Sequence, residues 1–348
     1  MTTICSISKL IFVATCLIVH VGLSSADFSI VGYSQDDLTS TERLIRLFES
    51  WMLKHDRVYN NIEEKIHRFE IFKDNLMYID ETNKKNNSYW LGLNEFVDLT
   101  HDEFKEKYVG SIGEDFVTIE QSNDEEFPYK HVVDYPESID WRDKGAVTPV
   151  KPNPCGSCWA FSTVATVEGI NKIVTGKLIS LSEQELLDCD RRSHGCKGGY
   201  QTTSLQYVVD NGVHTEKEYP YEKKQGKCRA KEKKGTKVQI TGYKRVPAND
   251  EISLIQAIAN QPVSVLLESK GRAFQLYKGG IFNGPCGTKL DHAVTAIGYG
   301  KTYILIKNSW GPNWGEKGYL KIKRASGKSE GTCGVYKSSY FPTKGYKY

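Results

Sequence analysis

Apolar residues recur at intervals of three and four along residues 41–83, where Leu44, Leu47, Phe48 and Trp51 are followed by Phe69, Phe72, Leu76 and Ile79. That spacing puts them on one helical face, and Thr41-Glu42 reads as a helix start. The periodicity stops over residues 110–134, which are rich in Gly, Asp and Glu and read as an extended linker. It resumes at Trp159, where Phe161, Val164, Val167 and Ile170 predict an amphipathic helix beginning at or beside Cys158. A second helix is expected at Ser182-Glu183-Gln184-Glu185, where Ser182 and Glu185 have the spacing of a capping box. Beyond Asp250 the texture changes. Val263–Leu267, Ala293–Ile297 and Tyr303–Ile306 are apolar or β-branched runs broken by Gly and Pro, as strands are. A helical half followed by a β half, both after Tyr135-Pro136, predicts an α+β pair of subdomains with a cleft between them.

The N-terminus reads as an address rather than as part of this fold. Lys9, the apolar run Leu10 to Val19 and the small residues Ser24-Ser25-Ala26 have the layout of a secretory signal peptide over residues 1–26. The run is too short for a membrane anchor. Secretion changes how the cysteines are counted: Cys5 and Cys16 leave with the signal, and Cys155, Cys158, Cys189, Cys196, Cys228, Cys286 and Cys333 remain. Seven is odd, so three disulfides would leave one thiol to explain.

A net charge of +3 conceals two opposed halves. Residues 27–134 carry 12 Lys+Arg against 24 Asp+Glu, a net of −12, whereas residues 135–348 carry 33 against 19, a net of +14. A basic domain alone would suggest nucleic acid. Preceded in one chain by an acidic segment the size of a small domain, it suggests instead an intramolecular cover that loosens as carboxylates protonate or salt rises.

Cys158 lies at the mouth of the helix that Trp159 begins, where unpaired N–H groups and the helix dipole favour a thiolate. His292, in Leu290-Asp291-His292-Ala293-Val294, opens an apolar strand and could serve as its base. Sixteen residues on, Asn308 stands in Lys307-Asn308-Ser309-Trp310-Gly311. An asparagine can accept from one ring nitrogen of histidine and hold the other toward sulfur, while a neighbouring tryptophan, Trp310, keeps water from that hydrogen bond. Together these residues make a Cys-His-Asn set for nucleophilic catalysis.

With these residues in place, the chain resembles a papain-family cysteine protease precursor of the plant type, for which Cys155-Gly156-Ser157-Cys158-Trp159 is a known signature. In the acidic half, Glu64, Arg68, Phe72, Asn75, Ile79 and Asn83, then Gly92, Asn94, Phe96 and Asp98, match the two motifs of that family's inhibitory propeptide. The resemblance implies a mainly helical propeptide over residues 27–134 that inhibits its own enzyme. It also implies a papain-like peptidase over residues 135–348, with a helical left subdomain and a β-barrel-like right one. Cys158 would be the nucleophile, His292 the acid-base group, Asn308 its orienter and Trp310 the shield. The implied disulfides are Cys155–Cys196, Cys189–Cys228 and Cys286–Cys333. Gly198 and Gly199 would offer backbone to an extended peptide. Tyr200, Leu266, Leu290, Ala293 and Ser338 would line a pocket for an apolar side chain two residues before the cut, and Gly156 would leave the next subsite open.

A Cys155–Cys158 redox pair would strand Cys196, and no second CxxC or paired-histidine motif completes a zinc site, so no metal or cofactor is expected. The expected partners are protein and peptide substrates, the chain's own propeptide and cystatin-type inhibitors; neither nucleic acid nor membrane is expected, and the protein is expected to be a monomer. His194 and His214 read as surface or turn histidines, and Lys231–Lys234 as a solvated loop. Asn86-Asn87-Ser88 is a glycosylation sequon in the segment that would be removed. Delivery is expected to the exterior or to an acidic vacuole or lysosome.

One stretch departs from the family. Its members carry Gln-Gly shortly before the signature, and that Gln helps bind the oxyanion; this chain has Pro152-Asn153-Pro154. Asn153 is one methylene shorter than Gln, and the prolines restrict φ on both sides. Losing one oxyanion donor typically costs about 10²–10³ in kcat. A catalytically weak homologue that binds peptides or inhibitors is therefore the alternative to an active peptidase.

Overall fold

The computed structural model describes residues 30–109, 127–132 and 134–345. The signal-like segment and linker residues 110–126 lie outside the described residues.

Two helices occupy the stretch expected to be helical over 41–83: α1 (Thr41–Lys54) and α2 (Ile62–Asn83). The side chain of Ser40 accepts the Arg43 N–H and that of Asn61 accepts the Glu64 N–H, so each helix has its own cap and the chain breaks between them. Phe48 of α1 meets Phe72 of α2 edge-on, with ring centroids 5.2 Å apart. The acidic half ends in β1 (Tyr89–Leu91) and α3 (His101–Tyr108).

The basic half continues with β2 (Ile139–Asp140), α4 (Cys158–Thr175), α5 (Glu183–Cys189), α6 (Gln201–Asn211), β3 (Val213–His214), β4 (Lys237–Val238) and β5 (Gly242–Arg245). It is completed by α7 (Glu251–Asn260), β6 (Val263–Leu267), α8 (Arg272–Gln275), β7 (Tyr277–Phe282), β8 (His292–Tyr299), β9 (Tyr303–Lys307), β10 (Tyr319–Lys323) and β11 (Ser339–Thr343). The main sheet runs β1-β7-β10-β9-β8-β6-β11-β5, with β2 on β8. Strand β8 is buried along its whole length because α4 and α7 both pack against it, so its apolar residues do not alternate with exposed polar ones. The helical subdomain has its own core around Trp159, Val164, Leu186, Leu187 and Leu205.

The acidic half shares a core with the sheet. Phe72, Phe96 and Phe104 belong to one apolar cluster with Tyr277, Phe282, Trp310 and Trp314. Strand β1 also pairs antiparallel with β7, Tyr89 opposite Gly280 and Trp90 opposite Gly279. Those glycines admit it: a Cβ on Gly279 would lie 2.5 Å from the Trp90 ring, and one on Gly280 2.5 Å from the Ser88 carbonyl. An ion pair that crosses this boundary is Arg272 with Asp74. Aromatic packing and strand pairing thus join the two halves beside their opposed charges.

Two local expectations are corrected. Ser182 caps α5 by accepting the Glu185 N–H at 3.0 Å, but Glu185 does not reach back to complete a capping box. Its carboxylate instead takes Nδ1 of His214 at 2.7 Å and the Tyr207 hydroxyl at 3.0 Å. His214 is accordingly a buried, paired histidine and not a surface one. His194 is exposed and lies beside the Tyr200 ring.

Candidate active site

Helix α4 brings Cys158 to the sheet. The N-cap residue Ser157 gives its hydroxyl to Asn153 and makes no side-chain cap, so Cys158 stands at the positive end of the helix dipole with no capping oxygen over it. Cys158 is buried and outside any disulfide, while Cys155–Cys196, Cys189–Cys228 and Cys286–Cys333 are bonded. Such cross-links typically contribute about 2–4 kcal/mol each. Cys158 packs against Leu266 and Ala293, with Leu290 half-buried beside them.

The pairing of β6 with β8 sets Leu267 opposite His292 and Leu266 opposite Ala293. His292 lies 2.8 Å, through Nε2, from Oδ1 of Asn308, and that oxygen also accepts the Ser309 N–H at 2.8 Å. A backbone N–H only donates, so the atom it faces is oxygen; the imidazole must then donate through Nε2, leaving the lone pair of the neutral ring on Nδ1. Trp310 stacks on the imidazole at 4.7 Å. Burial pushes His292 down to about 4, against the raising effect of the Asn308 hydrogen bond, so the ring is neutral in this form.

The acidic half holds the shield from outside. The Trp310 indole donates to the Tyr108 carbonyl at 3.1 Å, and Phe104 meets its ring edge-on at 4.9 Å. Asn94 donates to the Gln275 carbonyl, and Gln275 in turn donates to the Phe96 carbonyl, locking the segment before α3 onto α8.

On the other side of Cys158, the loop of residues 151–157 is tied to the Asn308 loop. Asn153 N–H donates to the Ser309 carbonyl at 2.7 Å, and Pro152 bridges to Trp310. Lys151, at the base of this loop, reaches both Glu183 oxygens at 2.8 Å. Burial alone would lower the Lys151 ammonium, but Glu183 and Glu168 outweigh it and hold it above its ordinary range. Asn153 is fully buried; its Oδ1 accepts from the loop, whereas its Nδ2 has no hydrogen-bond partner among the described residues.

The remaining expected site residues fall on two sides. Leu266, Ala293 and Leu290 form one cluster with Cys158, and Ser338 adjoins it through its carbonyl, which accepts the Leu266 N–H at 3.0 Å. Gly198, Gly199 and Tyr200 belong to the helical side, where a Cβ on Gly199 would stand 2.6 Å from the Trp159 indole. Gly156 adopts φ +68° in the turn before Ser157. Asn86 is exposed between α2 and β1. Among the described residues no group of His, Cys, Asp or Glu could hold a metal, and no helix is long and apolar enough to cross a membrane. Tyr221, Ser157, Phe104 and Gln275 escaped the sequence reading. Tyr221 reaches Asn153 across 68 positions, and no local motif marks such a contact.

Comparison with known proteins gives this arrangement a setting. The profile described as papain family cysteine protease matches residues 135–343, and that described as cathepsin propeptide inhibitor domain matches residues 48–104. The chain is 72% identical over 351 residues to chymopapain of Carica papaya, covering 99% of this chain and all of that one. It is 91% identical over 215 residues to chymomexicain of Jacaratia mexicana, covering 61% of this chain and all of that one. Among solved structures it is similar to the proform of the ragweed pollen allergen Amb a 11, a cysteine protease, at 38% identity and a TM-score of 0.85, covering 92% of this chain and all of that one.

Proposed function

The chain belongs to the papain family of cysteine proteases and carries that family's inhibitory propeptide; from that premise we propose that it is the zymogen of an endopeptidase acting through Cys158, His292 and Asn308. The observation that carries this reading is the Nε2 to Asn308 hydrogen bond under Trp310, which leaves Nδ1 as the ring's basic atom beside the strand that packs on Cys158.

In the mature enzyme Nδ1 of His292 takes the Cys158 thiol proton, the thiolate attacks the peptide carbonyl, and the imidazolium gives that proton to the departing amine as the C–N bond breaks. Water then releases the acyl-enzyme, with His292 as base. The oxyanion of each tetrahedral intermediate takes the Cys158 N–H and Asn153 Nδ2, whose lack of a partner among the described residues supports that role. Leu266, Ala293 and Leu290, with Ser338 at the margin and Tyr200 across the cleft, receive an apolar side chain two residues before the cut. Gly198 and Gly199 align the substrate backbone, and Gly156 leaves the next subsite tolerant. The signal-like N-terminus supports entry into the secretory pathway, and the sequon at Asn86 is open to glycosylation.

Acidifying the purified full chain tests the reading. The expected result is loss of mass to a species beginning near Tyr135, together with thiol-dependent hydrolysis of a peptide amide with phenylalanine at the second position. A folded chain that neither shortens nor turns over substrate would be the catalytically weak binding homologue instead.

A further inference from the structure

Asn153 carries four donors on one oxygen. The N–H groups of Cys155 and Ser157 lie 3.2 and 3.3 Å from Oδ1, the Ser157 hydroxyl 2.9 Å and the Tyr221 hydroxyl 3.0 Å. Because two of these donors are backbone N–H groups, the atom they face is oxygen, and Nδ2 points the other way. The prolines on both sides fix the backbone but not χ2, so the choice between the two amide orientations falls to these hydrogen bonds. Leaving a buried amide donor unpaired is unfavourable and calls for an explanation, which the reading of Asn153 as an oxyanion donor supplies.

Tyr221 is built to hold that orientation. Its ring meets Phe161 of α4 edge-on at 5.0 Å, and its own N–H is fixed by Glu216 at 3.0 Å. Its hydroxyl lies 3.2 Å from Ser157 Oγ and 3.4 Å from Cys155 Sγ as well as reaching Asn153. The hydroxyl is thus anchored to the helix that carries the nucleophile.

We propose that Tyr221 is a positioning residue for the oxyanion donor: its hydroxyl, with that of Ser157, pins the Asn153 carbonyl so that Nδ2 is presented to the tetrahedral intermediate. This rests on the reading of Asn153 as a donor. It explains how a residue one methylene shorter than Gln is held at a fixed orientation between two prolines.

Full-length chains carrying Tyr221→Phe, Asn153→Ala or both are matured in trans by tagged wild-type enzyme, which is then removed. Two rates are measured: kcat for a peptide amide, and alkylation of Cys158 by iodoacetamide, a displacement at an sp³ carbon that builds no acyl oxyanion. Asn153→Ala is expected to lower kcat by about 10²–10³. Tyr221→Phe is expected to lower it about tenfold with KM unchanged, and the double variant to match Asn153→Ala alone. Alkylation stays at the wild-type rate in all three. A tenfold loss that persists on the Asn153→Ala background, or a Tyr221→Phe enzyme with unaltered kcat, overturns the positioning role while leaving Asn153 as donor. Full activity of Asn153→Ala overturns the donor reading and this role with it. If Tyr221→Phe does not fold, Ser157→Ala is read through the same cycle, with coupling to Asn153 expected and independence contradicting the proposal.

Discussion

Two buried asparagines belong to the candidate site, and they are used in opposite senses. Asn308 spends its oxygen on His292 and on its own loop, so it fixes the orientation of a neighbour. Asn153 spends its oxygen wholly on its own loop and on Tyr221, so it is itself the group being oriented. Their surroundings differ accordingly. The His292 ring that Asn308 holds stacks on Trp310, which in turn meets Trp314 and Phe104 of the acidic half, where packing is redundant and apolar. Asn153 sits among hydroxyls and backbone N–H groups, where each contact is directional and few substitutes exist. A substitution in the first region perturbs the base and the propeptide's grip; one in the second deletes or misaims a donor.

The largest expected effect is common to both regions. Cys158→Ala should lower amide hydrolysis by about 10⁵–10⁶-fold, and the purified chain should keep its full mass on acidification. Residual self-shortening in that variant, seen by mass spectrometry, would show that another group cleaves the linker. Next, Phe104→Ala removes a ring from Trp310 and should weaken propeptide docking by about 3–5 kcal/mol, so that the precursor hydrolyses peptide at neutral pH without acid treatment. Asn308→Ala should lower kcat about 10²-fold with little change in KM, because it leaves His292 free to turn while the oxyanion donors remain. An equal loss in iodoacetamide alkylation is expected here, in contrast to Asn153→Ala.

A titration sharpens the same contrast. His292 is held near 4 by burial in the covered form, whereas an exposed imidazole titrates near 6.5. Its folded value is depressed, so protonation opposes the covered state, and His292 favours release as pH falls from about 6.5 toward 4. Buried Glu95 and Asp98 are raised by desolvation and act in the opposite sense, since protonation relieves their buried charge. NMR of the Cys158→Ala precursor should place the His292 transition near 4, moving upward once the propeptide is removed; identical transitions in the two forms would contradict the burial argument. The smallest effect concerns specificity. Phenylalanine should exceed arginine at the second substrate position by about tenfold in kcat/KM, and equal values would show that Leu266, Ala293 and Leu290 do not form that pocket.

The sequence was most informative where chemistry or period is local. The α4 pattern located a helix that begins at Cys158, and the strand at Val263–Leu267 begins and ends where its apolar run does. Residues 41–83 read as one helical stretch because the apolar period runs through both helices, whereas the caps at Ser40 and Asn61 divide them. Charge counting pointed to the cover but not to its contacts, because net charge reports long-range fields and not which side chains meet; Phe104 and Tyr108 on Trp310 depend on chain folding across some two hundred positions. Glu185 had the spacing of a capping residue but was claimed by buried His214, a tertiary partner that outweighs a local one. Asn153 could be singled out from its prolines, yet the direction of its amide follows from donors in its folded surroundings, the Cys155 and Ser157 N–H groups and the Ser157 and Tyr221 hydroxyls.

The central claim is that Asn153 supplies an oxyanion donor to an otherwise complete Cys-His-Asn peptidase. The most direct measurement is the ratio of amide hydrolysis to iodoacetamide alkylation in acid-matured wild-type enzyme and in Asn153→Ala matured in trans. A fall in that ratio of about 10²–10³, carried by hydrolysis alone, is the predicted result. An unchanged ratio would contradict the claim and leave the Cys158 N–H without Asn153 as its companion.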